Sequence, residues 1–439
     1  MGRATIPRSA VDRHSKSVSF APHVVEFAKR ILVPSANGLE ALKANLDEES
    51  GAWGCRPETL HPMHVTLAPG EDLDRNTQAM LDSVSSLLDS VYTITSNEDF
   101  HLFLWVRKLV TRASTDAIYG AGKNPFQDPA VEAGNIDKEF ALLGLNVLPN
   151  IIAPKGHQGR KTLFQSFHQY YARDGHKEAS RIVQARYEVN RKHGVSIEDI
   201  ERFDLSLCYG LLVNTVPAVS WALYYVYSQP SLLEETRAKG PSHIHPSKDS
   251  AEGLVYRVNI AEIVAGCPQL ASLVLETLRV QSTNASGRVV LKDTMIEDQY
   301  LLKEGSILLI PSAELHNNIS VWGPSFKDFD PQRFVQKRDE GKRPASAYRA
   351  YGSGASVCPG RFLAANEIMI MLVMMVLKYD LRPVSGGSWP LPKSRPHMTT
   401  SILTPVEDIQ VAITERKGYE HARWKFVWCE SNGSPDPSL

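Results

Sequence analysis

Apolar residues recur at helical spacing along most of this chain. Residues 70–92 have an acidic start and an apolar residue every three or four positions, which predicts an amphipathic helix. Residues 98–120 and 161–194 predict further helices. Residues 197–228 are almost wholly apolar in their second half, which is typical of a helix buried on all sides. Residues 368–377 (IMIMLVMMVL) predict a buried core helix, because a membrane span needs about 20 apolar residues.

Strand patterns are short and come late in the chain. They occur at residues 287–291, 300–311 and 401–413, where β-branched and apolar residues cluster between turn residues. Residues 240–253 and 336–349 are polar, and we expect surface insertions there. The last residues, 429–439, predict a frayed tail. The pattern predicts a mainly α protein, with residues 1–439 forming a single domain.

Composition narrows the class of protein. The chain has 439 residues, 43% hydrophobic and 22% charged, as expected of a soluble globular protein. A formal net charge of −1 gives no indication of a nucleic-acid partner. The cysteines are scattered, odd in number and without a CxxC pair, which argues against a disulfide framework or a zinc site; they are Cys55, Cys208, Cys267, Cys358 and Cys429. The first residues contain no apolar run, so they predict neither a signal peptide nor a membrane anchor.

A glycine-rich loop, residues 351–361 (YGSGASVCPGR), carries one of these cysteines. Gly352 and Gly354 would let the backbone approach a flat ligand closely. Pro359 suits the first turn of a helix, which would place Cys358 at a helix N-terminus, where the helix dipole lowers a thiol pKa. A thiolate held by backbone N–H groups is a good iron ligand. The alternative is an inert buried cysteine, the usual state of an isolated one.

The loop resembles the haem-binding signature of the cytochromes P450, Phe-Gly-x-Gly-x-x-x-Cys-x-Gly. The resemblance implies that Cys358 is the axial ligand of the iron of haem b, held in a cradle formed by the loop glycines, including Gly360. Tyr351 stands in the place of the usual Phe. Ser356 stands where many members carry an Arg or His that helps to hold a haem propionate.

Two further motifs strengthen the resemblance. Glu276 and Arg279 are three residues apart among apolar residues, so they share one helix face and predict a partly buried ion pair rather than a surface one. In the family a downstream arginine joins this pair, and Arg333 matches it. Arg288 resembles the residue at the edge of a small sheet that binds a haem propionate. The resemblance implies the cytochrome P450 fold, a helical haem domain with small peripheral β-sheets.

The central helix departs from the usual family pattern. Most members carry Ala/Gly-Gly-x-Asp/Glu-Thr there, and the acid and threonine relay protons during oxygen activation. Here valine replaces the acid and Pro217 replaces the threonine, which resembles the branch of cholesterol 7α-hydroxylase and prostacyclin synthase. Pro217 leaves the carbonyl of Val213 without its helical partner and predicts a kink. We expect Asn214 and Thr215 to face substrate, water or oxygen; alternatively, Thr215 bonds its own helix backbone.

The resemblance implies a monooxygenase of fungal biosynthetic type. It would take electrons from NADPH–cytochrome P450 reductase and hydroxylate an apolar terpenoid, sterol-like or other secondary-metabolite substrate. One alternative is an oxygen-independent haem-thiolate isomerase or cyclase, which Pro217 favours. Another is an inactive relic, because the family's membrane anchor and first strands are not found in this sequence.

The family resemblance also implies a location and a docking surface. Members lie on the cytosolic face of the endoplasmic reticulum membrane. Lys337, Arg338, Lys342 and Arg343 form a basic loop just before the cysteine loop. We expect it to attract the acidic surface of the reductase, a solvated loop being the alternative.

Overall fold

The computed structural model describes residues 11, 13–46, 52–94, 100–128, 131, 139–239, 244–249, 253–335, 347–396, 400–420 and 422–428. Its helices are α1 (Ala21–Phe27, continuing as a π-helical turn, Ala28–Leu32), α2 (Ala36–Lys43), α3 (Cys55–Thr66), α4 (Glu71–Ile94), α5 (Leu102–Tyr119), α6 (Phe140–Leu145), α7 (Pro149–Ile152), α8 (Pro154–Ala172), α9 (Arg181–Lys192), α10 (Ile197–Leu212), α11 (Thr215–Tyr227), α12 (Pro230–Lys239), α13 (Ile260–Gly266), α14 (Pro268–Gln281), α15 (Ser312–His316), α16 (Ile319–Trp322) and α17 (Arg361–Lys378).

The strands form small sheets around the helices. They are β1 (Val18–Ser19), β2 (Phe100–His101), β3 (Ile244–Asp249), β4 (Gly253–Asn259), β5 (Ala285–Val290), β6 (Thr294–Ile296), β7 (Tyr300–Leu302), β8 (Ile307–Pro311), β9 (Tyr379–Pro383), β10 (Ser394–Arg395), β11 (Thr404–Pro405), β12 (Gln410–Glu415) and β13 (Arg423–Val427). The sheet orders are β1-β5-β8, β2-β12-β9, β13-β4-β3, β6-β7 and β10-β11. Strands occur at the three predicted places, and the mainly α architecture with small peripheral sheets is confirmed.

The core is built around the pair α10 and α11. Helix α11 packs against α5, α14 and α17, and all of its residues are buried. Helix α17 is the predicted buried helix, and residues 368–377 are buried without exception. Both helices are apolar all round, so they are stable only when other helices cover every face.

The predicted interruption of the central helix is confirmed. Helix α10 ends at Leu212 and α11 begins at Thr215, and Pro217 lies in the first turn of α11. Proline has no N–H to donate to the carbonyl four residues earlier, so the α-helical ladder is interrupted there. By length and composition Ile197–Tyr227 resembles a membrane span, but 61% of its most apolar window is buried inside the protein, as in a core helix.

Two features of this part of the chain were not predicted. Residues 161–194 form two helices, α8 and α9, separated by a turn in which Asp174 adopts a left-handed conformation. The predicted insertion at 240–253 contributes to a hairpin, β3–β4, whose second strand pairs in parallel with β13 near the C-terminus. Local sequence patterns cannot predict pairing with a strand so distant in sequence. The basic residues at 337–343 and the predicted tail lie outside the described residues.

Candidate functional site

The cysteine loop is a tight backbone turn that requires glycine. The N–H of Cys358 donates to the carbonyl of Tyr351 at 2.8 Å and closes the loop. Gly352 and Gly354 adopt φ values of +77° and +58°, where side chains are strained. A Cβ at Gly352 would also lie 3.1 Å from the carbonyl oxygen of Ser356. The spacing of the motif therefore has a direct steric cause.

Cys358 lies just before α17 rather than inside its first turn. The helix begins at Arg361 and Gly360 is its N-cap, so the placement of Pro359 in the first turn was wrong. Burial raises the pKa of the Cys358 thiol, while the backbone N–H of Gly360 and the charge of Arg361 lower it in part. The expected net lowering was also wrong, because desolvation outweighs the local dipoles. A metal cation at the sulfur would supply the charge that favours thiolate.

Arg288 joins the cysteine loop from β5. Its guanidinium donates to the hydroxyl of Ser356, two residues before Cys358, and at 2.8 Å to both the Ser286 hydroxyl and the Gly287 carbonyl. The Arg288 side chain is buried. The residue expected to bind a propionate and the serine that replaces the family's second basic residue are thus direct neighbours.

The donor set fits an iron porphyrin with carboxylate side chains. A partly buried sulfur, a backbone N–H and a buried guanidinium meet on one loop, which matches a cationic metal inside an anionic ring.

Several buried polar atoms in the same region bond to no described residue. They include the hydroxyls of Tyr351 and Ser353 on the cysteine loop and Nε2 of His23, which lies in α1. Burial raises the pKa of Tyr351, so the hydroxyl stays protonated. Unpartnered buried polar atoms are uncommon and call for an explanation.

The residues of the helix break make contacts of their own. The Asn214 side-chain oxygen accepts from the backbone N–H of Ser401 at 2.6 Å, which joins the break to the loop before β11. The Thr215 hydroxyl donates to the carbonyl of Leu211 at 2.8 Å, the arrangement expected under the alternative. Pro217 is buried. None of the hydrogen bonds found among the described residues links this group to the cysteine loop.

The predicted charge cluster behind the loop is confirmed. Glu276 accepts from Arg279 at 2.7 and 2.8 Å and from Arg333 at 2.9 Å, and a fourth donor is the backbone N–H of Asp330 at 3.1 Å. All three charged side chains are at most 3% exposed. The other acceptors of these guanidinium groups are backbone carbonyl oxygens, including that of His316, and the hydroxyl of Ser325. These hydrogen bonds offset the unfavourable desolvation free energy of the buried charges.

His316 connects this cluster to the cysteine loop, and no sequence motif identified it. Its Nδ1 lies 3.0 Å from the carbonyl of Arg279, and its Nε2 accepts from the backbone N–H of Arg349 at 2.9 Å. Because Nε2 accepts, Nδ1 carries the proton. Burial, followed by the charge of Arg279, lowers the pKa of His316 to about 4. A neutral imidazole therefore clamps Arg349, whose carbonyl in turn accepts from Gly352.

Comparison with known proteins agrees with this geometry. The family model described as Cytochrome P450 matches residues 154–413. "Cytochrome P450 monooxygenase nodJ" of Hypoxylon pulicicidum is 31% identical, over 95% of this chain and 81% of that protein. A "Cytochrome P450 monooxygenase" of Gibberella zeae is 25% identical, over 94% and 80%. The "25-hydroxycholesterol 7-alpha-hydroxylase" of Rattus norvegicus is 26% identical, over 78% and 86%. The chain belongs to the cytochrome P450 family and is an oxidoreductase of its monooxygenase type.

Proposed function

We propose that this protein hydroxylates an apolar, sterol-like or terpenoid molecule, with Cys358 as the axial ligand of haem b. The observation that carries the proposal is the loop itself. It holds a partly buried cysteine sulfur beside the N–H of Gly360 and brings the guanidinium of Arg288 to the same loop. A thiolate, a hydrogen-bond donor that limits its basicity and a cation for a propionate are what the cofactor requires.

Haem bound here would supply the chemistry of oxygen activation, in which two electrons and two protons are consumed, one oxygen atom enters the substrate and the other leaves as water. The protein's own contribution is to hold the cofactor. Cys358 would bind the iron and Arg288 would pair with a propionate, while His316 and the Glu276 cluster hold the loop through the contacts described above. The side chains of Arg288, His316 and Glu276 are buried.

The helix break shapes the substrate side of the site. Pro217 interrupts the ladder, and Asn214 fixes the loop at Ser401 against the break. The Thr215 hydroxyl donates to its own helix but keeps lone pairs that can accept a hydrogen bond from water. Residues 216 and 217 are valine and proline, so the acid–threonine pair of most family members does not deliver protons here.

The substrate class is supported by the wall of the site and by the relatives. Leu211, Leu212 and Val213 are only half-buried next to the break, which suits an apolar ligand. The names of several relatives specify sterol chemistry, including the "7-alpha-hydroxycholest-4-en-3-one 12-alpha-hydroxylase" of Oryctolagus cuniculus, 25% identical over 80% of this chain. The substrates in these names are rigid and mainly hydrocarbon, and we propose a substrate of that class for this protein.

Membrane association at the endoplasmic reticulum is supported by an exposed apolar patch on α6, α7 and their connection. Its members are 39–67% exposed: Leu142, Leu145, Val147, Leu148, Ile151 and Ile152. A contiguous patch of this kind on a protein surface marks an interaction site. The exposed amines of Lys155 and Lys161 follow directly in sequence and would suit anionic headgroups. NADPH–cytochrome P450 reductase is the proposed electron donor, on the basis of the family.

The test is turnover with a panel of sterols and terpenoids in the presence of NADPH, the reductase and isotopically labelled dioxygen. We expect NADPH-dependent products that carry one labelled oxygen atom. Products that form without NADPH and carry no label would instead establish the second candidate, a haem-thiolate isomerase. That candidate is favoured by Pro217 and by the Thr215 hydroxyl, which donates to Leu211 rather than into the site.

A further inference from the structure

His23 lies against the residue that we assign to the haem propionate. It follows β1, which pairs with β5 in the register Ser19↔Val289, so the start of α1 lies beside Gly287 and Arg288. A Cβ built on Gly287 would stand 3.0 Å from Nε2 of His23. The imidazole edge therefore rests directly on the β5 backbone, one residue from Arg288.

Arg288 on β5 is a charged neighbour of His23. Nε2 is buried and bonds to no described residue, whereas the ring of Phe20 carries the Arg288 guanidinium 5.3 Å from its centroid. Burial and the charge of Arg288 lower the pKa of His23, so the imidazole is neutral at physiological pH. A neutral imidazole donates from one nitrogen, and in the tautomer that carries the proton on Nε2, leaving this buried donor unpaired would be unfavourable.

A carboxylate is the ligand chemistry that satisfies both neighbours. It accepts two or more hydrogen bonds and carries the charge that Arg288 complements. Ser356, on the cysteine loop, offers only a hydroxyl where many relatives have a second basic side chain, and it already accepts from Arg288. His23, which lies against the backbone of Gly287, the residue before Arg288, takes the place of that basic side chain.

We propose that Nε2 of His23 donates a hydrogen bond to the haem propionate held by Arg288, and so replaces the basic residue missing at Ser356. The inference rests on the proposed function, since it requires haem bound through Cys358. His23 is then a cofactor-binding residue contributed by α1, so docking of this segment and haem retention are coupled.

The experiment measures haem loss from the ferric holoenzyme to excess apomyoglobin, followed by the change in the Soret band. We expect His23→Phe to accelerate haem loss about tenfold to a hundredfold, the effect of one hydrogen bond to a charged group. His23→Gln, which keeps an N–H donor, should fall between this variant and the parent. The matched control is His176→Phe, because His176 is also buried with an unpartnered ring nitrogen but packs on Tyr187.

A second experiment, with chemically modified haem, separates the effect of the hydrogen bond from the effect of side-chain packing. The apoprotein is reconstituted with haem dimethyl ester, in which both carboxylates are masked. The parent and His23→Phe should then lose the ester at the same rate. His23→Leu takes the place of His23→Phe if the latter does not fold, with the same expected result.

Equal rates of haem loss in the parent and in His23→Phe would overturn the inference. So would an accelerated loss that persists with haem dimethyl ester, or one that His176→Phe also shows. These results leave the thiolate-type carbon-monoxide spectrum of the parent in place. Absence of that spectrum in the parent would instead overturn the proposed function together with the inference.

Discussion

Replacement of Glu276 by Gln should be among the most destabilising conservative changes in this protein. The carboxylate accepts four hydrogen bonds, three of them from the guanidinium groups of Arg279 and Arg333. Gln keeps one acceptor oxygen and turns an NH₂ group toward N–H donors. It also leaves two guanidinium groups, each at most 3% exposed, without their counter-charge. Breaking a buried pair in this way costs about 3–5 kcal/mol, a large part of the 5–15 kcal/mol typical of a folded protein.

The assay is urea unfolding of the haem-loaded protein, followed by circular dichroism and by the Soret band. The matched control is Glu407→Gln, which removes an ion pair with Lys393 at 2.8 Å in which both side chains are exposed. That change should leave the urea midpoint almost unchanged, because an ion pair between exposed side chains contributes little to stability. If the two Glu→Gln variants unfold at the same urea concentration, the argument that burial makes the Glu276 cluster energetically important is refuted.

Three further outcomes are expected. Burial raises the pKa of Glu367 to about 8, from a usual value of 4.5. At pH values between these two, the folded state therefore binds one more proton than the unfolded state. The free energy of unfolding should fall as the pH rises from about 4.5 to about 8. Glu367→Gln should flatten this dependence in unfolding free energies measured across that range, and an unchanged slope would contradict the assignment. Asn214→Ala removes the acceptor for Ser401 and should lower turnover by up to about a hundredfold with the haem spectrum intact, since displacements of about 1 Å have that effect; full activity would mean that the contact is only packing. Ile151→Glu in the apolar patch should weaken binding to phospholipid vesicles about tenfold or more, whereas unchanged co-sedimentation would exclude the patch as the membrane contact.

The sequence correctly predicted those features whose cause lies in neighbouring residues. The pair Glu276 and Arg279 follows from helical spacing, and the break near Pro217 follows from proline's missing N–H. The glycines around Cys358 are required by the backbone of a single loop. In each case the cause lies within a few residues of the effect, apart from the Arg333 contact, which the family resemblance supplied.

What could not be predicted depends on distant contacts. His316 is an isolated histidine until the fold brings Arg279 and Arg349 to its two nitrogens. The Asn214 contact to Ser401 spans nearly half of the chain. The direction of the Cys358 pKa shift was predicted wrongly because the helix terminus is visible in the sequence, whereas the depth of burial is a property of the whole fold.

The identity of the iron ligand is the claim on which the account depends most. The measurement is the absorption spectrum of the reduced, carbon-monoxide-bound protein, in the parent and in Cys358→Ser, with Cys208→Ser as the control for loss of a different, buried cysteine. The account predicts a thiolate-type Soret band in the parent and in Cys208→Ser, and its loss in Cys358→Ser. A thiolate-type band that survives in Cys358→Ser would contradict the assignment of Cys358 and, with it, the proposed site.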